Sequence, residues 1–135
     1  MSFFTSNAMQ IEIGMYGEDL LRSYLKTKKV KFMQVDLIVD TGEKIYIIEV
    51  KTQEKYKAPP YDGHGLPEYQ IKSRINIAEK TGMIPYLYIY DLHDNFFYLQ
   101  DMRILMEGEK FYTKTGSRVI FPLSNFEILK VNLND

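Results

Sequence analysis

The strongest constraint on the fold is a pair of apolar segments joined by turn-forming residues. Residues 35–39 and 45–52 are rich in β-branched side chains, and the Asp-Thr-Gly-Glu segment between them favours a tight turn. This pattern predicts a β-hairpin. If a two-residue loop closes the hairpin at Gly42, the register of its strands places Asp36 directly opposite Glu49.

Charged residues interrupt the second of these strands near its end. Side chains alternate between the two faces of a strand, so Glu49 and Lys51 point to the same side as Ile45 and Ile47. Burying a charge is costly unless it is paired or holds a metal. Facing carboxylates at Asp36 and Glu49 also repel each other, which is unfavourable for structure alone. The pattern therefore indicates a function at this end of the hairpin.

Two amphipathic helices are predicted, one on each side of the hairpin in sequence. The first covers residues 10–26 and has its apolar positions at helical spacing: Ile11, Met15, Leu21 and Leu25. Glu18 falls within this stripe, so it either points inward with it or lies at its edge and reaches water. The second helix covers residues 66–82, with Gln70 on its flank and a buried stripe of Ile71, Ile75 and Ala78.

The rest of the chain is predicted to be mainly strands and loops. A strong strand covers Ile84–Asp91, and shorter ones cover residues 95–101, 110–113 and 119–121, with a helical turn over 101–106. Residues 53–65 contain two prolines and two glycines and are predicted to form a loop. His64 in that loop and His93 in a later turn are both expected to be exposed to solvent.

Composition limits the classes of protein. The chain has 135 residues, of which 45% are apolar and 26% charged, so one globular domain over residues 1–135 is expected. It has no cysteine, which excludes disulfide scaffolds, thiolate zinc sites and cysteine nucleophiles. No apolar run is long enough to cross a bilayer and no secretory leader is seen, so a cytoplasmic protein without a membrane partner is expected.

Charge is balanced overall but uneven along the chain. The formal net charge is −1, so the global basic character of many nucleic-acid binders is absent. Lysines nevertheless gather in residues 26–31 and 51–57. Such clusters either form solvated faces or contact phosphate groups.

The carboxylates at the end of the hairpin suit one kind of chemistry. Two clustered carboxylates are what a hard cation such as Mg²⁺ needs, with several water molecules kept for the substrate side. Such an ion polarises a phosphate oxygen and lowers the pKa of a bound water. Lys51 beside it can orient that water and offset negative charge in the transition state. The side chain of Val50 points to the opposite face, which leaves its backbone carbonyl as a further ligand.

These residues together resemble the PD-(D/E)XK nuclease superfamily, whose signature is an acid on one strand and acid-x-lysine on the next. Asp36 matches the first acid, and Glu49-Val50-Lys51 matches the second element. Glu18 looks like the acid that many members carry on the first helix. Gln70 looks like the glutamine that some members place on the helix after the motif. The proline that usually precedes the first acid is Val35 in this chain.

The resemblance covers about residues 10–91 and leaves residues 92–135 as a C-terminal β-rich extension. It implies an α/β protein with a restriction-endonuclease-like αβββαβ core, in which a central mixed β-sheet is flanked by helices. The layout of the second helix and the strand after it is similar to that of small phage and bacterial nuclease-like proteins, including Holliday-junction-resolvase-like members.

The resemblance also implies roles for the site residues. The ligands of Mg²⁺ or Mn²⁺ would be Asp36, Glu49, the Val50 carbonyl and Glu18. Lys51 would position or activate the attacking water, and Gln70 would contact the nucleophile or the scissile phosphate. The expected activity is metal-dependent hydrolysis of phosphodiester bonds by a DNA endonuclease, structure-specific or nicking, that contacts the phosphate backbone. By analogy with small nucleases, a homodimer is expected.

The residues also allow other interpretations. Glu49 and Lys51 can form an ordinary ion pair at a strand end while Asp36 caps a turn. A catalytically silent module of the same fold would bind nucleic acid or take part in protein assembly. A protein-interaction module would use the aromatic surface of residues 86–98, although sheet packing also explains those aromatic residues.

Overall fold

The computed structural model describes residues 7–30, 33–58 and 61–131, and the side chains within them except those of residues 7–15, 58 and 61. The chain divides into two compact units, Met1–Gln34 and Val35–Asp135. The expectation of one domain over residues 1–135 stays a prediction. Among the described helices, none is both long enough and apolar enough to span a membrane.

The N-terminal unit contains one long helix, α1 (Asn7–Thr27), which includes the predicted helix over residues 10–26. It ends because Lys29 adopts a left-handed φ of 56°. The N–H groups of Lys29 and Val30 then bond back to the carbonyls of Lys26 and Leu25, each at 3.1 Å, which closes the helix end. Within this unit the side chain of Leu21 is exposed, so the prediction that it belongs to a buried stripe is wrong.

The second unit is built on two β-sheets. Its strands are β1 (Leu37–Asp40), β2 (Ile45–Gln53), β3 (Tyr56–Ala58), β4 (Tyr61–Pro67), β5 (Ile84–Asp91), β6 (Phe96–Asp101), β7 (Phe111–Tyr112), β8 (Arg118–Pro122) and β9 (Glu127–Leu129). A five-stranded sheet has the order β1-β2-β5-β6-β9, and a four-stranded sheet has the order β3-β4-β8-β7. The β2–β5 pair is parallel and its neighbours are antiparallel. The predicted α/β fold with a mixed sheet is therefore confirmed.

The predicted hairpin is present, and its register is the predicted one. Leu37 pairs with Ile48, and the pairing continues without a slip to Asp40 and Ile45. The N–H of Thr41 donates to the carbonyl of Lys44 at 3.0 Å, which leaves a two-residue loop. Gly42 in that loop has a φ of 90°, a left-handed conformation that glycine adopts at little cost.

Two helices complete the second unit. α2 (Glu68–Thr81) connects β4 to β5 and contacts both, and α3 (Met102–Glu107) follows β6. α2 ends at Gly82, whose φ of 76° and hydrogen bond to the carbonyl of Ala78 form the predicted C-terminal stop. Ile71 and Ala78 are buried, as predicted for the stripe of this helix.

The predicted loop over residues 53–65 is wrong, because β3 and β4 occupy most of it and belong to the four-stranded sheet. Its glycines allow β4 to lie close to β8. A Cβ built at Gly63 or Gly65 would collide with the carbonyl of Phe121 or Val119 respectively. Pro59 and Pro60 lie outside the described residues.

The core lies where α2, α3 and both sheets meet. Its buried members are Leu66, Ile71, Leu87, Ile89, Tyr98, Met102, Leu105, Val119, Phe121 and Phe126. Strands from residues 92–135 belong to both sheets, since β6 and β9 extend the five-stranded sheet and β8 pairs with β4. The C-terminal third therefore supplies much of the core, on the same face of the sheet as Glu49.

Candidate functional site

Asp36 is fixed to the strand that carries the other predicted acid. It stands immediately before β1, and its Oδ2 accepts a hydrogen bond from the N–H of Val50 at 2.8 Å. In an antiparallel pair the N–H and C=O of one residue point to the same side. The Val50 carbonyl therefore faces the side of β2 on which Asp36 lies. Asp36 itself stands one residue beyond the last pair of the hairpin, which is Leu37 with Ile48.

Glu49 lies on the face of the sheet that α2 and the core cover, because it pairs with buried Leu87. Only 5% of its surface is exposed. Its Oε1 lies 3.3 Å from Nζ of Lys51, and its Oε2 lies 3.0 Å from Nη2 of Arg74. Burial of this carboxylate is therefore compensated by two cations.

Lys51 and Asp36 lie where the site meets solvent. The side chain of Lys51 is 27% exposed, and Asp36 is exposed. Glu49 therefore forms the inner wall of the site and these two residues its outer edge. This arrangement agrees with the predicted convergence of Asp36, Glu49 and Lys51 at one end of the hairpin.

Arg74 is a site residue that the sequence interpretation missed. It lies on α2, is 8% exposed, and donates to Glu49 and to the Oγ of Ser73, in both cases at 3.0 Å. The signal was present in the sequence, because Arg74 stands three residues after Ile71 and four before Ala78, within the buried stripe of the helix. A charged side chain in a buried apolar stripe is expected to have a partner of opposite charge.

Gln70 lies one helical turn before Arg74, on the same side of α2. Its Nε2 is 3.4 Å from the hydroxyl of Tyr69. Its Oε1 is buried and has no hydrogen-bond partner among the described residues. A buried amide oxygen without a partner costs free energy, which is a reason to expect a ligand or water there.

Oxygen donors of the kind that a hard divalent cation takes occur at this end of the hairpin. These donors are the carboxylates of Asp36 and Glu49 and the Val50 carbonyl. The unpartnered Oε1 of Gln70 is a further acceptor, on α2 one turn before Arg74. Mg²⁺ commonly uses one or two carboxylates and keeps several waters. No group of three or more His, Cys, Asp or Glu side chains suited to a metal occurs among the described residues.

Glu18 belongs to the N-terminal unit. Its side chain is 61% exposed there, so of the two positions expected for it the one at the edge of the stripe, facing water, is the observed one. Its carboxylate accepts hydrogen bonds from Arg22 at 3.5 Å and from Gln34 at 3.4 Å. Its role as a metal ligand stays a prediction.

A second polar cluster is buried between the two sheets. His64, expected to be exposed, is fully buried: its Nε2 lies 2.7 Å from Oδ2 of Asp91 and its Nδ1 lies 3.0 Å from Oε1 of Gln53. Asp91 is also fully buried and accepts hydrogen bonds from the N–H groups of His93 and Asp94, each at 2.8 Å. Gln53, His64 and Asp91 therefore link β2, β4 and β5.

Burial and hydrogen bonding in this cluster shift the pKa values of its titratable side chains. Burial alone would raise the pKa of Asp91, but hydrogen bonds from the Asp94 N–H, the His64 ring and the His93 N–H outweigh it and hold this pKa below its usual range. Burial lowers the pKa of His64 in spite of the hydrogen bond to Asp91. The pKa of Tyr98 is raised mainly by burial and also by its hydrogen bond to Asp94. His93, by contrast, is exposed in the turn after Asp91, as predicted.

The lysines of residues 51–57 are only partly accessible to a phosphate group. Lys55 lies 2.5 Å from Oδ2 of Asp94 and 3.9 Å from Oδ2 of Asp91, and its side chain is largely buried. It is therefore an anchor of the buried cluster. Lys57 on β3 is exposed, so it and Lys51 are the lysines of residues 51–57 that face solvent to some degree.

The aromatic surface lies on the opposite face of the five-stranded sheet. A shallow depression of about 290 Å³ there is lined by Val39, Thr41, Tyr46, Ile48, Tyr86, Tyr88 and Leu99. Tyr46 and Tyr86 meet edge to face, with ring centroids 5.5 Å apart. This surface carries no charged group from the Asp36 and Glu49 site, so the two features are separate.

No protein-family model matches this chain. No curated protein matches its sequence either.

Proposed function

We propose that this chain is a metal-dependent nuclease that hydrolyses phosphodiester bonds in DNA. One observation carries the proposal. Asp36 accepts a hydrogen bond from the backbone of the Glu49-Val50-Lys51 segment, and both Lys51 and Arg74 of α2 contact the carboxylate of Glu49. Carboxylates on neighbouring strands repel each other, so the position of Asp36 beside the strand of Glu49 is unfavourable for structure alone. The resemblance to the PD-(D/E)XK superfamily, with its restriction-endonuclease-like core, supports the same assignment.

Each residue has a proposed task. Asp36, Glu49 and the Val50 carbonyl would hold Mg²⁺ or Mn²⁺, which when bound supplies positive charge to the phosphate oxygens and lowers the pKa of a water ligand. Lys51, at the solvent side of Glu49, orients that water and offsets charge on the phosphate. The free Oε1 of Gln70 accepts a hydrogen bond from the attacking water and fixes its direction.

Cleavage assays test this proposal. Supercoiled plasmid, branched DNA and single-stranded DNA are incubated with the chain in Mg²⁺, Mn²⁺ or EDTA. The test variant is Glu49→Gln, which keeps the volume of the side chain and removes its charge. The matched control is Glu43→Gln, the same change in the loop at the far end of the same hairpin. Cutting that needs metal, survives in Glu43→Gln and is lost in Glu49→Gln is expected; metal-independent cutting, or cutting retained in Glu49→Gln, would contradict the proposal.

A second candidate function is a catalytically silent module that binds nucleic acid or assembles with proteins. It is favoured by one observation, that both oxygens of Glu49 already contact cations, as in a structural ion pair. Thermal unfolding separates the two candidates. A nuclease is stabilised by Mn²⁺, since the ion binds the folded site, and a silent module is not. A homodimer, expected by analogy with small nucleases, is a further proposal that sedimentation would test.

A further inference from the structure

The carboxylate of Glu49 lies between two unequal cations. Lys51 approaches Oε1 at 3.3 Å and is 27% exposed along its side chain. Arg74 approaches Oε2 at 3.0 Å, and its side chain is 10% exposed. Because water screens the exposed ammonium more than the buried guanidinium, Arg74 is the stronger electrostatic partner of Glu49.

Arg74 is held in place on its own helix. Its Nη1 donates to the Oγ of Ser73 at 3.0 Å, and that hydroxyl donates to the carbonyl of Gln70 at 3.0 Å. A guanidinium presents its donors in a rigid planar fork that suits a carboxylate. The positive charge beside Oε2 is therefore a fixed feature of the site.

The formal charges of the four described residues at this site sum to zero. Asp36 and Glu49 each bring one negative charge, and Lys51 and Arg74 each bring one positive charge. A divalent cation that reaches the site therefore meets no net negative charge, and Oε2 of Glu49 is already bonded. The ion and Arg74 need the same carboxylate and repel each other.

We propose that Arg74 competes with the divalent cation for Glu49 and thereby sets the metal affinity of the site. Arg74 is a positioning residue: without metal it compensates the buried carboxylate, and metal binding displaces its hydrogen bond from Oε2. The inference rests on the proposed function, since it concerns the metal site of that nuclease. Arg74 is not among the residues to which the resemblance to the PD-(D/E)XK superfamily gives a role.

Metal binding without DNA tests the inference. The affinity of the chain for Mn²⁺ alone is measured by isothermal titration calorimetry for the wild type and three variants. Arg74→Gln removes the charge but keeps a donor for Glu49, and Arg74→Lys keeps the charge. Lys72→Gln is the matched control, since it removes a positive charge from an exposed position of the same helix. We expect Arg74→Gln to bind Mn²⁺ roughly tenfold more tightly or better, with the other two close to the wild type.

Each result has a distinct meaning. Equal affinity in the wild type and Arg74→Gln would overturn the competition while leaving the metal site intact. Weaker binding by Arg74→Gln would also overturn it, because Arg74 would then order Glu49 for the metal. If none of the four proteins binds Mn²⁺, the metal site of the proposed function fails and the inference fails with it.

The wild type supplies a measurement that does not depend on the folding of Arg74→Gln. The Nε–Hε signal of Arg74 is assigned in the ¹⁵N NMR spectrum by its loss in Arg74→Lys, and Mg²⁺ is added to saturation. Displacement of the guanidinium from Glu49 is expected to shift this signal. A signal that stays in place while Mg²⁺ saturates the site would overturn the proposal.

Discussion

The carboxylate of Asp36 accepts a hydrogen bond from the backbone N–H of Val50 at 2.8 Å. The first predicted acid is therefore attached to the strand that carries the second acid and the lysine. This bond engages Oδ2, one of the two carboxylate oxygens of Asp36. Asp36 thus has a structural task and a proposed metal-binding task, and the two can be separated by substitution.

Asp36→Asn and Asp36→Ala separate those tasks. Asparagine keeps an oxygen that accepts from the Val50 N–H, so we expect little change in the free energy of unfolding. Alanine removes the acceptor and is expected to cost about 1 kcal/mol. Both variants lose stabilisation by Mn²⁺, since asparagine brings no charge to the ion. Urea unfolding with and without Mn²⁺ gives both quantities, and full Mn²⁺ stabilisation of Asp36→Asn would remove Asp36 from the metal site.

Lys51→Ala is expected to leave folding intact and abolish cleavage. The side chain is partly exposed, and Arg74 still compensates buried Glu49, so the loss of stability is at most about 1 kcal/mol. Lys57→Ala on β3 is the matched control, because it removes an exposed lysine from the next strand along the chain. Initial rates on supercoiled DNA are compared for the three proteins. Full activity in Lys51→Ala would exclude Lys51 from the mechanism.

The hairpin and its register followed from the sequence because both depend on local chemistry. A two-residue loop with glycine at its first position fixes which residues face each other, and this places Asp36 one step beyond the Leu37–Ile48 pair. The β5 strand and the end of α2 at Gly82 were likewise predictable from short-range patterns.

The sequence interpretation failed where distant segments determine the structure. The sequence predicts a loop where β4 lies because glycine and proline usually break strands, whereas Gly63 and Gly65 permit the close approach of β8. His64 was expected to be exposed for the same reason, and its burial depends on Asp91, a residue of another strand. Arg74 could have been found, since its place in an apolar stripe was visible.

Gly65→Ala tests whether close approach explains the glycine. A Cβ at this position would collide with the carbonyl of Val119 and lie 2.9 Å from the Cα of Ile120, both backbone atoms that cannot move aside alone. We expect a loss of roughly 2–3 kcal/mol in the free energy of unfolding. Gly108→Ala is the control, because its nearest neighbour is the end of the flexible Asn125 side chain at 3.0 Å. A smaller loss in Gly65→Ala than in Gly108→Ala would contradict this explanation.

The buried Asp91 and His64 pair predicts how stability depends on pH. The pKa of Asp91 is lower in the folded chain than in the unfolded chain, so the unfolded chain binds more protons as the pH falls below about 4. The stabilisation from Asp91 is therefore present above that pH and is lost as the pH falls through the folded pKa. The lowered pKa of His64 acts in the same direction from about pH 6.5 downward.

Asp91→Asn isolates the contribution of the Asp91 charge to the free energy of unfolding. The amide cannot carry the negative charge that the His64 ring, Lys55 and two backbone N–H groups surround, so we expect a loss of about 3 kcal/mol at pH 7. The difference between wild type and variant should shrink below pH 4, because acid removes the same charge from the wild type. Urea midpoints between pH 7 and pH 2.5 measure this convergence. Asp62→Asn, an exposed change on β4, is the control at pH 7. A constant difference across the range would show that the charge of Asp91 is not what stabilises the cluster.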